Sequence, residues 1–127
     1  MRCRLVETGD VVGKGLPAAM LMAEIRHGMR ALLSVDPDPS AVLTACDRLV
    51  ERLLDDSGII TVFYGRLHLG TGRLTYTSAG HPPPLLVPAT GTCRFLPVEP
   101  QPPLGDRKSG SAGMPRPPDS SRMPSCA

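Results

Sequence analysis

A chain of 127 residues with 41% hydrophobic residues suffices for one small domain and leaves little margin if part of it adds nothing to a core. A net charge of +2, with basic residues scattered along the chain, carries no nucleic-acid footprint. Three per cent aromatic residues and no Trp leave no platform for stacked bases, so single-stranded nucleic acid is excluded as a ligand class as well.

The chain opens on Cys3 to Val12, which reads as a short strand running into a turn at Thr8-Gly9-Asp10. After Gly13-Lys14-Gly15, Pro17 suits the first turn of a helix that extends to about Leu33. That helix is apolar around most of its circumference, which predicts burial against a sheet. Asp36-Pro37-Asp38-Pro39 separates it from a second helix, with Ser40 as the expected N-cap. There Val42, Ala45, Leu49, Val50 and Leu53 form the apolar face, and Asp47, Arg48, Glu51 and Arg52 the opposite one. Asp55-Asp56-Ser57-Gly58 ends it.

Ile59 to Leu69 is rich in β-branched and aromatic residues, and Arg73 to Ala79 alternates, so the two make a hairpin about Gly70-Thr71-Gly72. Gly80-His81-Pro82-Pro83-Pro84 breaks the ladder, and a further short hairpin fits Leu85–Val87 and Cys93–Leu96. From 107 to 127 Pro, Gly, Ser and Arg dominate, predicting a disordered tail in which Asp119 has no strand beside it. One domain over 1–106, of α+β class, is the resulting organisation.

Cys3, Cys46, Cys93 and Cys126 are far apart and form no cluster with His27, His68 and His81, so free thiols and structural histidines are expected. No run approaches the roughly 18 apolar residues of a membrane span. The first residues lead into no signal peptide, and a cytoplasmic location follows.

The segment Thr8 to Ala19 admits three readings. A P-loop needs G-x-x-x-x-G-K-[ST], but Thr8 stands at its first Gly and Gly15 at its hydroxyl. A dinucleotide fingerprint matches Gly13-x-Gly15-x-x-Ala18, yet the predicted order lacks a βαβ unit. The third reading places Asp10 at a strand end as a hard oxygen ligand for a divalent cation, followed by glycines that let backbone approach a phosphate. One aspartate alone equally caps a turn.

Gly9-Asp10-Val11-Val12-Gly13-Lys14-Gly15 with the small and apolar residues after it resembles the signature of the SpoIIE/RsbU branch of the PPM protein phosphatases. Thr61-Val62-Phe63-Tyr64-Gly65, Thr71 to Tyr76, Ser78-Ala79-Gly80-His81-Pro82-Pro83-Pro84 and Pro103-Leu104-Gly105 match further family segments in order. Val12 and Ser78 depart from the residues usual there. The resemblance implies a partial PPM-type fold, an antiparallel sheet packed with two consecutive helices. It implies hydrolysis of phosphoserine or phosphothreonine on an anti-sigma-factor antagonist protein with two Mn²⁺ or Mg²⁺ ions. Asp10 and the Val11 backbone carbonyl are its implied metal ligands, Lys14 is either a solvated lysine at the helix start or a neighbour of the phosphate, and His81 belongs to a structural loop. The family's other acidic motifs are found neither before Asp10 nor after Gly105. The expectation is therefore an incomplete domain, from truncation, frameshift or a split gene, with weak metal binding and no activity alone. A non-catalytic module in sigma-factor partner switching is the alternative, and a nucleotide-binding domain a remote one.

Overall fold

The structure, a computed structural model, describes residues 2–35, 38–53, 59–106 and 119–122, the last as backbone. Strand β1 (Cys3–Val11) leads into helices α1 (Gly15–Leu33) and α2 (Pro39–Leu53), followed by β2 (Ile60–His68), β3 (Arg73–Ala79), β4 (Leu85–Leu86), β5 (Arg94–Phe95) and β6 (Asp119–Arg122). Four strands form an antiparallel sheet in the order β1-β2-β3-β6, and β4 pairs with β5 in a separate hairpin.

β2 is covered on both faces, and its composition reflects that. Ile60, Val62 and Tyr64 point to the helices and join Ile25, Met29, Val42, Leu43, Cys46 and Val50 in the larger core. Phe63 points the other way, into a smaller core with Leu74, Tyr76, Leu86 and Leu96. There the Phe63 and Tyr76 rings lie 5.5 Å apart, and the Tyr76 hydroxyl donates to the Pro97 carbonyl at 2.6 Å. Two-residue periodicity thus supplies two cores from one strand. The β2–β3 turn closes with Gly72 N–H donating to His68 O at 2.8 Å, Gly72 having a φ of 65°.

The helices differ from expectation in three respects. α1 is not buried all round: Ile25 and Met29 are enclosed, whereas Leu16 and Met20 are 72% and 56% exposed. It meets the sheet and α2 through one stripe, and Gly28 faces Leu49 so closely that an added Cβ would lie 2.6 Å from its Cδ2. In α2 the side chain of Asp38, not Ser40, caps the helix, accepting from Ala41 N–H at 3.1 Å, with Pro39 at the first helical position. The apolar face is rotated as well: Val42, Leu43, Cys46, Asp47 and Val50 are buried, and Leu53 is exposed.

In the tail, the backbone of Asp119–Arg122 pairs with Arg73–Tyr76 of β3, so Asp119 does lie in a strand. The remainder of the expected tail, 107–118 and 123–127, and the expected helix end at Asp55-Asp56-Ser57-Gly58 lie outside the described residues. No helix among the described residues is long and apolar enough to cross a membrane.

The Cys46 thiol is pushed by burial, and secondarily by Asp47, from 9.0 up to about 12. Burial likewise raises the Tyr64 hydroxyl from 10.0 to about 12, against the lowering influence of Arg66. Both groups hold their protons more tightly folded than unfolded. Their contribution to stability is present below pH 9.0 for Cys46 and 10.0 for Tyr64, and is lost as pH rises through about 12. Tyr64 Oη is buried without a hydrogen-bond partner among the described residues. Tyr64→Phe therefore leaves stability at neutral pH unchanged or raised by about 1 kcal/mol. Urea denaturation from neutral to alkaline pH checks both expectations, with a shallower alkaline decline in the variant.

Candidate functional site

The candidate site forms at one end of the sheet, where β1 finishes. Asp10 is the cross-strand partner of Thr61, and Val11 that of Ile60. Asp10 and Thr61 therefore emerge on the same sheet face, with Cβ atoms about 5 Å apart as is general for direct antiparallel partners. Asp10 is exposed there, while Val11 packs against the helix-side core. Just before it, a Cβ on Gly9 would stand 2.9 Å from the Thr61 carbonyl oxygen, so this strand end admits no side chain at that position.

Beyond Val11 the Val12 N–H still donates to Ile59 O at 3.0 Å, and then the chain turns at Gly13 with φ 131° and Gly15 with φ 75°. These left-handed backbone values let the chain leave the sheet and enter α1 within three residues. Lys14 is the exposed, extended N-cap of α1 and makes no side-chain capping bond.

A second loop arrives beside Thr61. Gly80, at φ 64°, bridges to Val62 and delivers His81, whose Nδ1 is hydrogen-bonded to Thr61 Oγ1 at 2.9 Å. Ser78 Oγ donates to the His81 carbonyl at 3.2 Å. His81 thus holds its own loop to β2 one side chain away from Asp10. The other histidines lie apart: His27 is exposed on α1, and His68 Nδ1 accepts from Thr71 N–H at 3.2 Å in the β2–β3 turn.

A third segment closes the end of β2. Leu104 N–H donates to Ile60 O at 2.8 Å, and Gly105 N–H donates to Asp47 Oδ1 at 3.1 Å. Helical spacing alone puts Asp47 on the solvent side of α2. The structure buries it, and no local signal could show a partner 58 residues away.

The acidic side chains are dispersed. Glu7 is on the helix side, 3.3 Å from Arg26 Nε and 3.6 Å from Arg30. Among the described residues no group of three or more His, Cys, Asp or Glu is placed to hold a metal ion. Asp10 and the Val11 carbonyl alone do not fit a two-ion centre, because hard divalent cations at such centres need several carboxylates. The nucleotide readings lose their frame too: α1 runs into α2 rather than back to a parallel strand, and the sheet is antiparallel.

An antiparallel sheet carrying two consecutive helices on one face, with Asp10 at the end of its edge strand, defines a partial α+β fold of the PPM phosphatase type. The chain belongs to the family of stage II sporulation protein E (SpoIIE), whose family model matches residues 3–119. It is 41% identical over 78 residues to the phosphoserine phosphatase RsbU of Bacillus subtilis (strain 168), a match covering 61% of this chain and 23% of RsbU. The crystal structure of the RsbU and RsbW domains of Rv1364c from Mycobacterium tuberculosis superposes with a TM-score of 0.82 at 31% identity, covering 96% of this chain and 33% of that one. The SiaA-PP2C domain of Pseudomonas aeruginosa shares the fold, with a TM-score of 0.74 at 15% identity over 97% of this chain and 50% of that one. The chain thus spans half or less of each of these relatives.

Gly80 sets a sharp test of the loop geometry. A Cβ there would lie 2.7 Å from Pro103 Cγ, on a backbone already in the left-handed region. Gly80→Ala is expected to lower stability by about 2 kcal/mol or more, and Thr61→Val by about 1 kcal/mol through loss of the His81 bond. Urea midpoints of the two variants check the order.

Proposed function

We propose that this chain carries part of the catalytic apparatus of a metal-dependent protein serine/threonine phosphatase, acting in the cytoplasm on a phosphorylated anti-sigma-factor antagonist. The single observation carrying the reading is Asp10, exposed at the end of β1 and followed by the Gly13-Lys14-Gly15 turn into α1. Membership of the SpoIIE family and likeness to a phosphoserine phosphatase support it. Asp10 and the Val11 carbonyl are the groups this segment offers to Mn²⁺ or Mg²⁺.

A complete two-ion centre calls for several carboxylates, and the described residues bring no such group together, so on this proposal the chain alone is expected to show no turnover. A second reading rests on the same dispersion of acidic side chains. In it the chain is a non-catalytic module of sigma-factor partner switching, engaging regulators through its helices.

Hydrolysis of p-nitrophenyl phosphate, with and without Mn²⁺, tests the catalytic reading on the wild-type chain and on Asp10→Asn. The expected result is no Mn²⁺-dependent turnover in either. Turnover in the wild type that disappears in Asp10→Asn would show that further ligands reach the site, making the chain a working enzyme and removing the non-catalytic reading.

A further inference from the structure

Asp47 is 1% exposed on the inner face of α2, and its Oδ1 accepts the Gly105 N–H at 3.1 Å. A buried carboxylate is costly unless hydrogen-bonded, and a bond from backbone N–H to an ionised acceptor is among the stronger ones available. The Gly105 N–H lies trans to the Leu104 carbonyl, which accepts from Ile60 N–H, and so it points away from β2 and toward the helix. The preceding residue, Leu104, is 0% exposed and exchanges two backbone bonds with Ile60, of 2.8 and 3.4 Å. On its other edge Ile60 pairs with Val11.

A continuous line of contacts therefore runs from α2 through Gly105, Leu104 and Ile60 to the strand end that carries Asp10 and Val11. A second line runs beside it. Pro103 fills the space where a Cβ of Gly80 would be, and Gly80 precedes His81, which is bonded to Thr61 across from Asp10. Both lines pass through Pro103-Leu104-Gly105, and Asp47 holds the end of that strap to the helix layer.

We infer that Asp47 is a positioning residue: through the 103–105 strap it sets the end of β2, and thereby the placement of Asp10 and Val11. The inference rests on the proposed reading only for what Asp10 and Val11 do; the positioning itself is a matter of backbone geometry. Asn in place of Asp47 retains an oxygen acceptor for Gly105, whereas Leu, of similar size, has none. Asp47→Asn should therefore preserve the strap and Asp47→Leu release it.

Amide hydrogen exchange by NMR on the full chain reads this directly. In Asp47→Leu, protection of the Leu104 and Ile60 amides is expected to fall about tenfold or more relative to the amides of Leu74 and Tyr76 in β3. Asp47→Asn should keep that protection within a few-fold, while its weaker, uncharged bond moves the Gly105 amide resonance and shifts Val11 and Thr61. An equal loss at every amide in Asp47→Leu would reduce Asp47 to general packing and overturn the inference. So would full protection of Leu104 and Ile60 in that variant. Should Asp47→Leu not fold, unchanged Val11 and Thr61 resonances in Asp47→Asn overturn it, and shifts confined to them and to 103–105 support it. None of these readouts depends on turnover, so an inactive chain leaves the test intact.

Discussion

β2 is bonded along both edges, and the rest of the described structure depends on that. β1 runs the full length of one edge, from Cys3 opposite His68 to Val11 opposite Ile60. On the other edge β3 accompanies it only from Phe63 onward, and near its start Gly80 bridges to Val62 and Leu104 to Ile60. Backbone N–H and C=O groups that are buried must find partners, and here three segments distant in sequence provide them to one short stretch. The candidate site is the place where those segments meet.

The alternation of side chains along β2 then divides the chemistry between two faces. Ile60, Val62 and Tyr64 belong to the helix-side core, and Thr61 and Phe63 to the other face. Asp10 follows Thr61, so the carboxylate and the His81 loop share the face away from the helices. Glu7, opposite Tyr64, belongs with Arg26 and Arg30 on the helix side. A shift of register by one residue would exchange these assignments, bringing Asp10 under α1 and an apolar residue to the open face.

The two helices contribute unequally. α2 buries Val42, Leu43, Cys46, Asp47 and Val50, whereas α1 encloses only Ile25 and Met29 and leaves the apolar residues of its first turns outside. The firmer helix is the one that reaches the strap below the site. The acidic side chains are dispersed between these layers, so a two-ion centre is not assembled from the described residues.

Local sequence determined a good deal of this. β-Branched and aromatic residues in Ile59 to Leu69, alternation in Arg73 to Ala79, the glycine-rich turn at 70–72 and Pro17 in the first turn of α1 specify strands, turn and helix from neighbouring residues alone, and the structure has them there. The linked motifs around Asp10, His81 and Leu104 are the segments that the structure brings together at the start of β2. What needed tertiary structure was everything set by contacts between distant residues. Leu16 and Met20 are as apolar as Ile25, but the sheet reaches only one stripe of α1. Asp47 carries a charge and reads as solvent-facing until Gly105 supplies an N–H from the far side of the chain. Asp119–Arg122 has little apolar content and becomes a strand because β3 offers an edge, whose unpaired backbone groups bind a strand regardless of its side chains. Periodicity is a property of adjacent residues, whereas burial and pairing belong to the partners that the fold brings together.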